Sequence, residues 1–229
     1  MNNMKERVYW ANMELVKRGL VIYTWGNVSE IDREQGVVAI KPRGIDYDKL
    51  APEDIVVVDL QGKVIEGKLL PSVDLDIHLV LYRELPEVGG IAHTHSTWAT
   101  AWAQALTPIP VLGTTHADHF CGAVICTRPL ESDEINRNYE EEIGNVIIQE
   151  LRQHATKDVN AVLVGNHGPF TWGKDADQAV ENSVILEEVA KMASLTLSVN
   201  PKTQPISAAL LDKHYSRKFG PNSYFYQAK

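Results

Sequence analysis

Apolar positions in the first eighteen residues recur at helical spacing. Val8, Ala11, Leu15 and Val16 share one face of a helix expected from about Met4 to Arg18, and Gly19 is a natural stop. The period then changes. GVVAIKP (36–42) and IVVVDL (55–60) are β-branched runs bounded by turn residues and predict strands, and Gln61-Gly62 turns the second run into a hairpin partner at 63–66. Helical spacing returns from Asp74 to Glu84 through Leu75, His78, Leu79 and Tyr82, with Pro86 ending it. Gly89-Gly90 opens a short strand, IAHTHS (91–96), and a helix follows over 97–106.

The second half is equally mixed. VLGTTHADHF and GAVICT read as short strands or loops, and 138–153 as an amphipathic helix. AVLVGNHGPFTWG (161–173) predicts a hairpin turning at Asn166-His167-Gly168. The longest helix is expected to run from its N-cap Asp175 to about Ser198, and a last helix near 207–218 precedes the aromatic tail Tyr224-Phe225-Tyr226. Strands and helices intermingle without regular βαβ alternation, which predicts a central, mostly antiparallel or mixed sheet flanked by helices. With no repeat, low-complexity tract or Ser/Gly linker, residues 1–229 are expected to form one domain.

Composition narrows the function classes. At 44% hydrophobic and 23% charged the chain is globular, and 22 Lys and Arg against 30 Asp and Glu leave a net charge of −8. Without a basic stripe, nucleic acid and anionic membranes are poor partners. No run approaches the roughly 20 apolar residues of a membrane span. The opening MNNMKERVYW lacks the apolar stretch of a signal peptide. Cys121 and Cys126, in the apolar segment HFCGAVICT, read as small buried thiols of a reducing compartment, so cytoplasm is the expected location.

The eight histidines are unevenly placed. His93 and His95, two apart in an expected strand, project from one face, and His167 sits in a rigid turn. Three neutral imidazoles with an open position are how a catalytic divalent site is built, and Asp74 at the start of a helix adds a candidate carboxylate oxygen. On spacing alone, ordinary strand histidines remain the alternative. In Thr114-Thr115-His116-Ala117-Asp118-His119 a carboxylate flanked by histidines is a general base, a ligand or simply a turn former. Thr24-Trp25-Gly26-Asn27 and Lys41-Pro42-Arg43-Gly44 are glycine-containing turns able to offer backbone N–H groups to an anion, or structural turns only. His78 reads as a hydrogen-bonded core histidine and His154 as solvated.

Together these segments resemble the class II aldolase family, and within it most of all the bacterial L-ribulose-5-phosphate 4-epimerase branch. The matching stretches are TWGNVS (24–29), KPRG (41–44), PSVD (71–74), GGIAHTHS (89–96), GTTHAD (113–118), NHGPFTWGK (166–174), LEEVAKMA (186–193) and LLDKHYSRK (210–218), in colinear order over nearly the whole chain. The resemblance implies a three-layer α/β/α sandwich on a largely antiparallel sheet, assembled as a homotetramer with active sites at subunit interfaces. It implies a divalent metal, usually zinc with manganese or cobalt as alternatives, held by His93, His95 and His167 with Asp74 as the associated carboxylate. Asp118 matches the family's catalytic acid/base. Gly26, Asn27, Lys41, Arg43, Gly44, Ser72, Val73, Thr114, Glu140 and His214 match positions around a sugar or sugar-phosphate substrate.

The activity implied is a ketose 4-epimerase working by retro-aldol cleavage and re-addition at C3–C4. The alternatives are an aldolase that releases its aldehyde and a non-catalytic scaffold of the same fold. Three departures bear on the choice. Arg43 and Val73 replace serines of the phosphate cradle. Leu75, Asp76 and Ile77 replace a Thr-Pro-Thr run and add a negative charge. The tail reads Tyr224-Phe225-Tyr226-Gln227 where the family has Tyr-Tyr-Gly-Gln, so the catalytic tyrosine position becomes Phe225 and the role is expected to shift to Tyr226, with Tyr224 as the other candidate.

Overall fold

The computed structural model describes residues 2–154, 160–221 and 223–224 of the chain. Seven strands form one sheet in the order β4-β3-β2-β1-β5-β7-β6. They are β1 (Asn27–Asp32), β2 (Val37–Ile40), β3 (Val56–Asp59), β4 (Val64–Glu66), β5 (Gly90–His93), β6 (Ala161–Val164) and β7 (Gly168–Gly173). Every pairing between them is antiparallel. The helices are α1 (Asn2–Lys17), α2 (Leu75–Glu84), α3 (Thr97–Gln104), α4 (Thr114–Ala117), α5 (Ser132–Ile135), α6 (Tyr139–His154), α7 (Ala176–Val199) and α8 (Ala208–Phe219).

Strand periodicity sorts side chains into two cores. Val38, Ile40, Val56, Val58, Ile91, Val162, Val164, Phe170 and Trp172 face Ile77, Val80, Leu81 and Tyr82 of α2 and Ile143 and Ile147 of α6. Their alternates face the other way: Val37, Ala39 and Val57 meet Met4 and Val8 of α1, while Ala161 and Leu163 meet α3 and α7. Val28 and Ala92 pack on Ala11, Leu15 and the first turns of α7. Both faces of the sheet are therefore covered, which is the three-layer α/β/α sandwich with an antiparallel centre. No helix among the described residues is long and apolar enough to cross a membrane.

Most local expectations hold, including the hairpin at Asn166 (φ 63°) and the cap at Asp175, whose carboxylate accepts from Gln178 N at 2.8 Å. Several do not. Val16 is exposed, because the buried face of α1 runs through Met4, Val8, Ala11 and Leu15. The two cysteines are half-buried and form no disulfide. The segment 113–118 supplies the single-turn helix α4, and 122–127 makes only isolated bridges, Ile109 to Val124 and Cys126 to Leu163.

The largest miss is β1, a central strand whose sequence NVSEID looks polar. Its polar side chains are buried because distant elements satisfy them. Ser29 Oγ bonds His78 Nδ1 (2.7 Å) and Tyr82 OH (2.8 Å), and Glu30 pairs with Arg7 and accepts from Ala176 N (3.1 Å). A buried polar group so partnered avoids the desolvation cost that would otherwise exclude it from a core.

Candidate active site

β1 and β5 deliver the centre of the site, and their pairing ends at Asn27 opposite His93. Gly26 ends it: at φ +82° the backbone turns away, and a Cβ there would lie 2.7 Å from His93 O. The strand expected over 91–96 therefore stops at His93, and the chain swings through Thr94 to His95 and into α3. His93 and His95 meet across that bend rather than as alternating residues on one strand face. His167 arrives from the β6–β7 turn.

The three imidazoles converge. His93 Nε2 lies 3.2 Å from His95 Nε2 and 3.1 Å from His167 Nε2, and the ligand atoms of all three are mutually within 4.8 Å. His93 donates its Nδ1 proton to Pro169 O at 2.9 Å, which leaves the Nε2 lone pair facing its neighbours. Phe170 stacks under His93 with ring centroids 4.2 Å apart. Burial drives His93 far below the ordinary histidine range and His167 down to about 4, and it lowers His95 as well, so the rings are neutral donors. Four ligands about 2.0–2.1 Å from a tetrahedral ion stand about 3.3 Å apart, so the spacing and the donor set both fit a divalent metal.

Above the triad opens a cleft of about 450 Å³. It is lined by Thr24, Trp25, Gly26, Asn27, Lys41, Pro42, Arg43, Gly44, Ser72, Val73, Asp74, His95, Tyr139, Glu140 and His167. Residues from 24 to 167 thus meet in one place. Asp74 precedes α2 but makes no side-chain cap; its Oδ2 accepts from Asn27 Nδ2 at 2.6 Å. It stands beside the triad and is not part of the close three-histidine cluster. Its charge is nonetheless felt there, opposing the depression of His95 and His167. Ser72 Oγ accepts from Asn27 Nδ2 at 3.1 Å, while Asn27 Oδ1 is buried without a hydrogen-bond partner among the described residues.

Lys41 is buried, donates to Ile45 O at 2.9 Å and lies over the Tyr47 ring at 4.6 Å. Tyr47 in turn donates to Gly26 O (3.0 Å), tying the two glycine turns together. Burial pulls the Lys41 ammonium down to about 8. Arg43 is exposed at the mouth, and no carboxylate among the described residues pairs with its guanidinium. Val73, half-exposed, contributes an apolar wall.

A second constellation lies elsewhere. Asp118, at the end of α4, accepts from Arg217 Nε (2.9 Å) and Nη2 (2.7 Å) and from His214 Nδ1 (3.0 Å), all from α8. Burial raises this carboxyl, but the hydrogen bonds from Arg217 and His214 outweigh it and hold it below the usual range. Asp118, His214 and Thr114 are not among the residues lining the cleft of their own chain. Tyr226 and Phe225 fall outside the described residues; Tyr224 is exposed, its ring 5.7 Å from Lys213 Nζ. His78 is the core histidine expected, bonded to Ser29 and pushed down to about 3 by burial. His154 pairs with Glu150 at 2.8 Å on the exposed face of α6.

Sequence reading missed Trp25, Tyr139 and Arg217 as site residues. Trp25 and Tyr139 adjoin Gly26 and Glu140, and Arg217 lies three residues after His214, hence on the same helical face. That spacing was the available signal.

The same architecture recurs in known proteins. An L-fuculose 1-phosphate aldolase structure superposes with a TM-score of 0.77 at 26% identity, over 94% of this chain and 95% of that one. YgbL from Klebsiella pneumoniae, whose described activity is left open among aldolase, epimerase and decarboxylase, gives 0.73 at 27% identity over 92% and 97%. YgbL from Escherichia coli gives 0.71 at 25% over 93% and 97%. The family model for the class II aldolase and adducin N-terminal domain matches residues 6–194, a span that carries β1, the histidine triad and the whole cleft. With most of the chain matched and the architecture shared, this protein belongs to the class II aldolase and adducin N-terminal domain family.

Proposed function

We propose that the protein is a metal-dependent ketose or ketose-phosphate 4-epimerase, interconverting L-ribulose 5-phosphate and D-xylulose 5-phosphate or a related pair by breaking and remaking C3–C4. The observation that carries this reading is the convergence of His93, His95 and His167 at the floor of a polar cleft. A scaffold protein has no use for three neutral imidazoles so arranged. Held by these three residues with Asp74 beside them, a divalent cation such as zinc, manganese or cobalt would supply the positive charge that stabilises an enediolate.

The hydrogen at C4 is not acidic, so simple deprotonation cannot invert that centre. In the cleavage direction the C4 hydroxyl gives its proton to a base, the C3–C4 electron pair stays with C3, and C4 leaves as an aldehyde. The aldehyde turns its other face and re-adds. Asn27 and Asp74 orient the hydroxyls, with the unpartnered Asn27 Oδ1 as an acceptor. Lys41, Arg43 and the backbone of Gly44 and Val73 receive the anionic end. Ser72, already bonded to Asn27, helps little, so the two cations, Lys41 and Arg43, carry the charge recognition.

Asp118, kept ionised by Arg217 and His214, is the base in this reading, with Thr114 and His214 beside it. Since Asp118 lies away from its own cleft, the reading assigns it to the cleft of a neighbouring copy in a homotetramer. A second reading, an aldolase that lets the aldehyde go, draws on the likeness to L-fuculose 1-phosphate aldolase. One assay separates them: metal-loaded protein with L-ribulose 5-phosphate should form D-xylulose 5-phosphate. Free glycolaldehyde phosphate without epimer would favour the aldolase, and neither product would refute both for this substrate.

A further inference from the structure

Tyr139 stands in the cleft beside Asp74 and Glu140, and no step above uses it. Its position is set by the packing of α6 on α2. Gly144 lies so close to α2 that a Cβ there would sit 2.7 Å from Val80 Cβ. Asn138, just before α6, donates to Asp76 Oδ2 at 3.2 Å, and Arg83 of α2 approaches Glu141 at 3.9 Å. Asn138 thus ties the start of α6 to the first turn of α2, whose N-cap is Asp74, while the contacts at Val80 and Arg83 fix the packing of the two helices farther along α2. Tyr139 is 37% exposed toward the cleft, and its hydroxyl bonds no other described residue. Burial and the charges of Glu140 and Asp74 raise its phenol above the ordinary value, so the proton stays on at physiological pH. The tail position aligned with the family's catalytic tyrosine, Phe225, has no proton to exchange, and Tyr226, the candidate to take over from it, lies outside the described residues, whereas Tyr139 is in the cleft.

We propose that Tyr139, supplied by the same chain as the histidine triad, is the acid that protonates the aldehyde oxygen when the C3–C4 bond is remade. The inference rests on the retro-aldol reading. The C3 electron pair forms the bond to C4, the carbonyl π pair moves onto the oxygen, and that oxygen takes the phenolic proton. The phenolate regains a proton from water while Asp118 releases the one accepted during cleavage, so the cycle closes with nothing oxidised or reduced.

Tyr139→Phe removes the hydroxyl and keeps the ring that packs the cleft. With L-ribulose 5-phosphate and metal-loaded protein, kcat for epimer formation should fall about 10²–10⁴-fold, the range for loss of a general acid. KM should stay within about threefold, and metal content and Tm should be unchanged. The product ratio is the readout that a structural role would not move. Without the re-addition acid, free glycolaldehyde phosphate should rise relative to D-xylulose 5-phosphate. An unchanged ratio with near-normal kcat overturns the role of Tyr139 and leaves the epimerase reading standing. Wild-type protein that yields aldehyde but no epimer overturns it as well, since no re-addition occurs. A wild type that yields neither product overturns the parent reading and this inference with it.

Discussion

Gly144→Ala tests whether the α2–α6 contact sets the geometry of the cleft. The added Cβ would stand 2.7 Å from Val80 Cβ and 2.9 Å from its Cγ1, whereas ordinary contact begins at 3.4 Å. Val80 is buried and β-branched, so it has no open rotamer to swing into, and α6 must move off by about 0.7 Å. Two stability effects oppose each other. Replacing a helix-interior glycine by alanine gains about 1 kcal/mol, and overpacking a tight contact costs about 1–3 kcal/mol. The net loss is therefore about 0–2 kcal/mol, a fall in Tm of no more than about 8 °C at this chain length. Function should suffer more, because Tyr139 and Glu140 ride on the displaced helix and a misplacement near 1 Å can cost about 10²-fold. We expect kcat/KM to drop about tenfold or more with metal content unchanged. Measuring kcat/KM, Tm and bound metal on the same preparation decides the matter. Wild-type kcat/KM together with a lowered Tm would refute the idea that this contact positions the cleft.

Other expectations follow from the same geometry. His95→Ala should abolish activity and drop bound metal well below one ion per chain after dialysis; stoichiometric metal with retained turnover would sink the ligand assignment. Arg43→Ser should lower the ratio of kcat/KM for phosphorylated over free ketose about tenfold, the worth of one charge-assisted hydrogen bond, and an unchanged ratio would show that Arg43 does not read the anion. Lys41, pulled down to about 8 by burial, is charged below that pH and neutral above it. KM for an anionic ketose should therefore be flat on the acid side and rise about tenfold per pH unit above it, while Lys41→Arg, always charged, should remove the rise. A KM for the wild type that is independent of pH up to about 10 would contradict this.

The parts legible in the sequence are those written in local chemistry. Val37–Ile40 and Val56–Asp59 announce strands by branching at Cβ, Asp175 and Ser207 announce helix starts by their side-chain oxygens, and Asn166-His167-Gly168 announces a turn. The spacing His93-x-His95 and the turn histidine His167 point to one cluster, and the three rings do converge, but His95 reaches the others from beyond the end of the strand rather than along its face. Asp74 lines the same cleft as His95 and His167, with its carboxylate engaged by Asn27.

Tertiary structure alone decided which polar segments go inside. Asn27–Asp32 becomes a central strand only because Arg7, His78, Tyr82 and Ala176 bring it hydrogen-bond partners from three helices. No periodicity within six residues can register partners 23 to 146 positions away. The same holds for Asp118, whose neighbours Arg217 and His214 are almost a hundred residues downstream, and for Tyr139, which lines the cleft where a glycine lets α6 lie against α2. Backbone preferences and capping act over a few residues and so are printed in the sequence. Burial of a polar group depends on who arrives to satisfy it, and that is settled only when the chain has closed on itself.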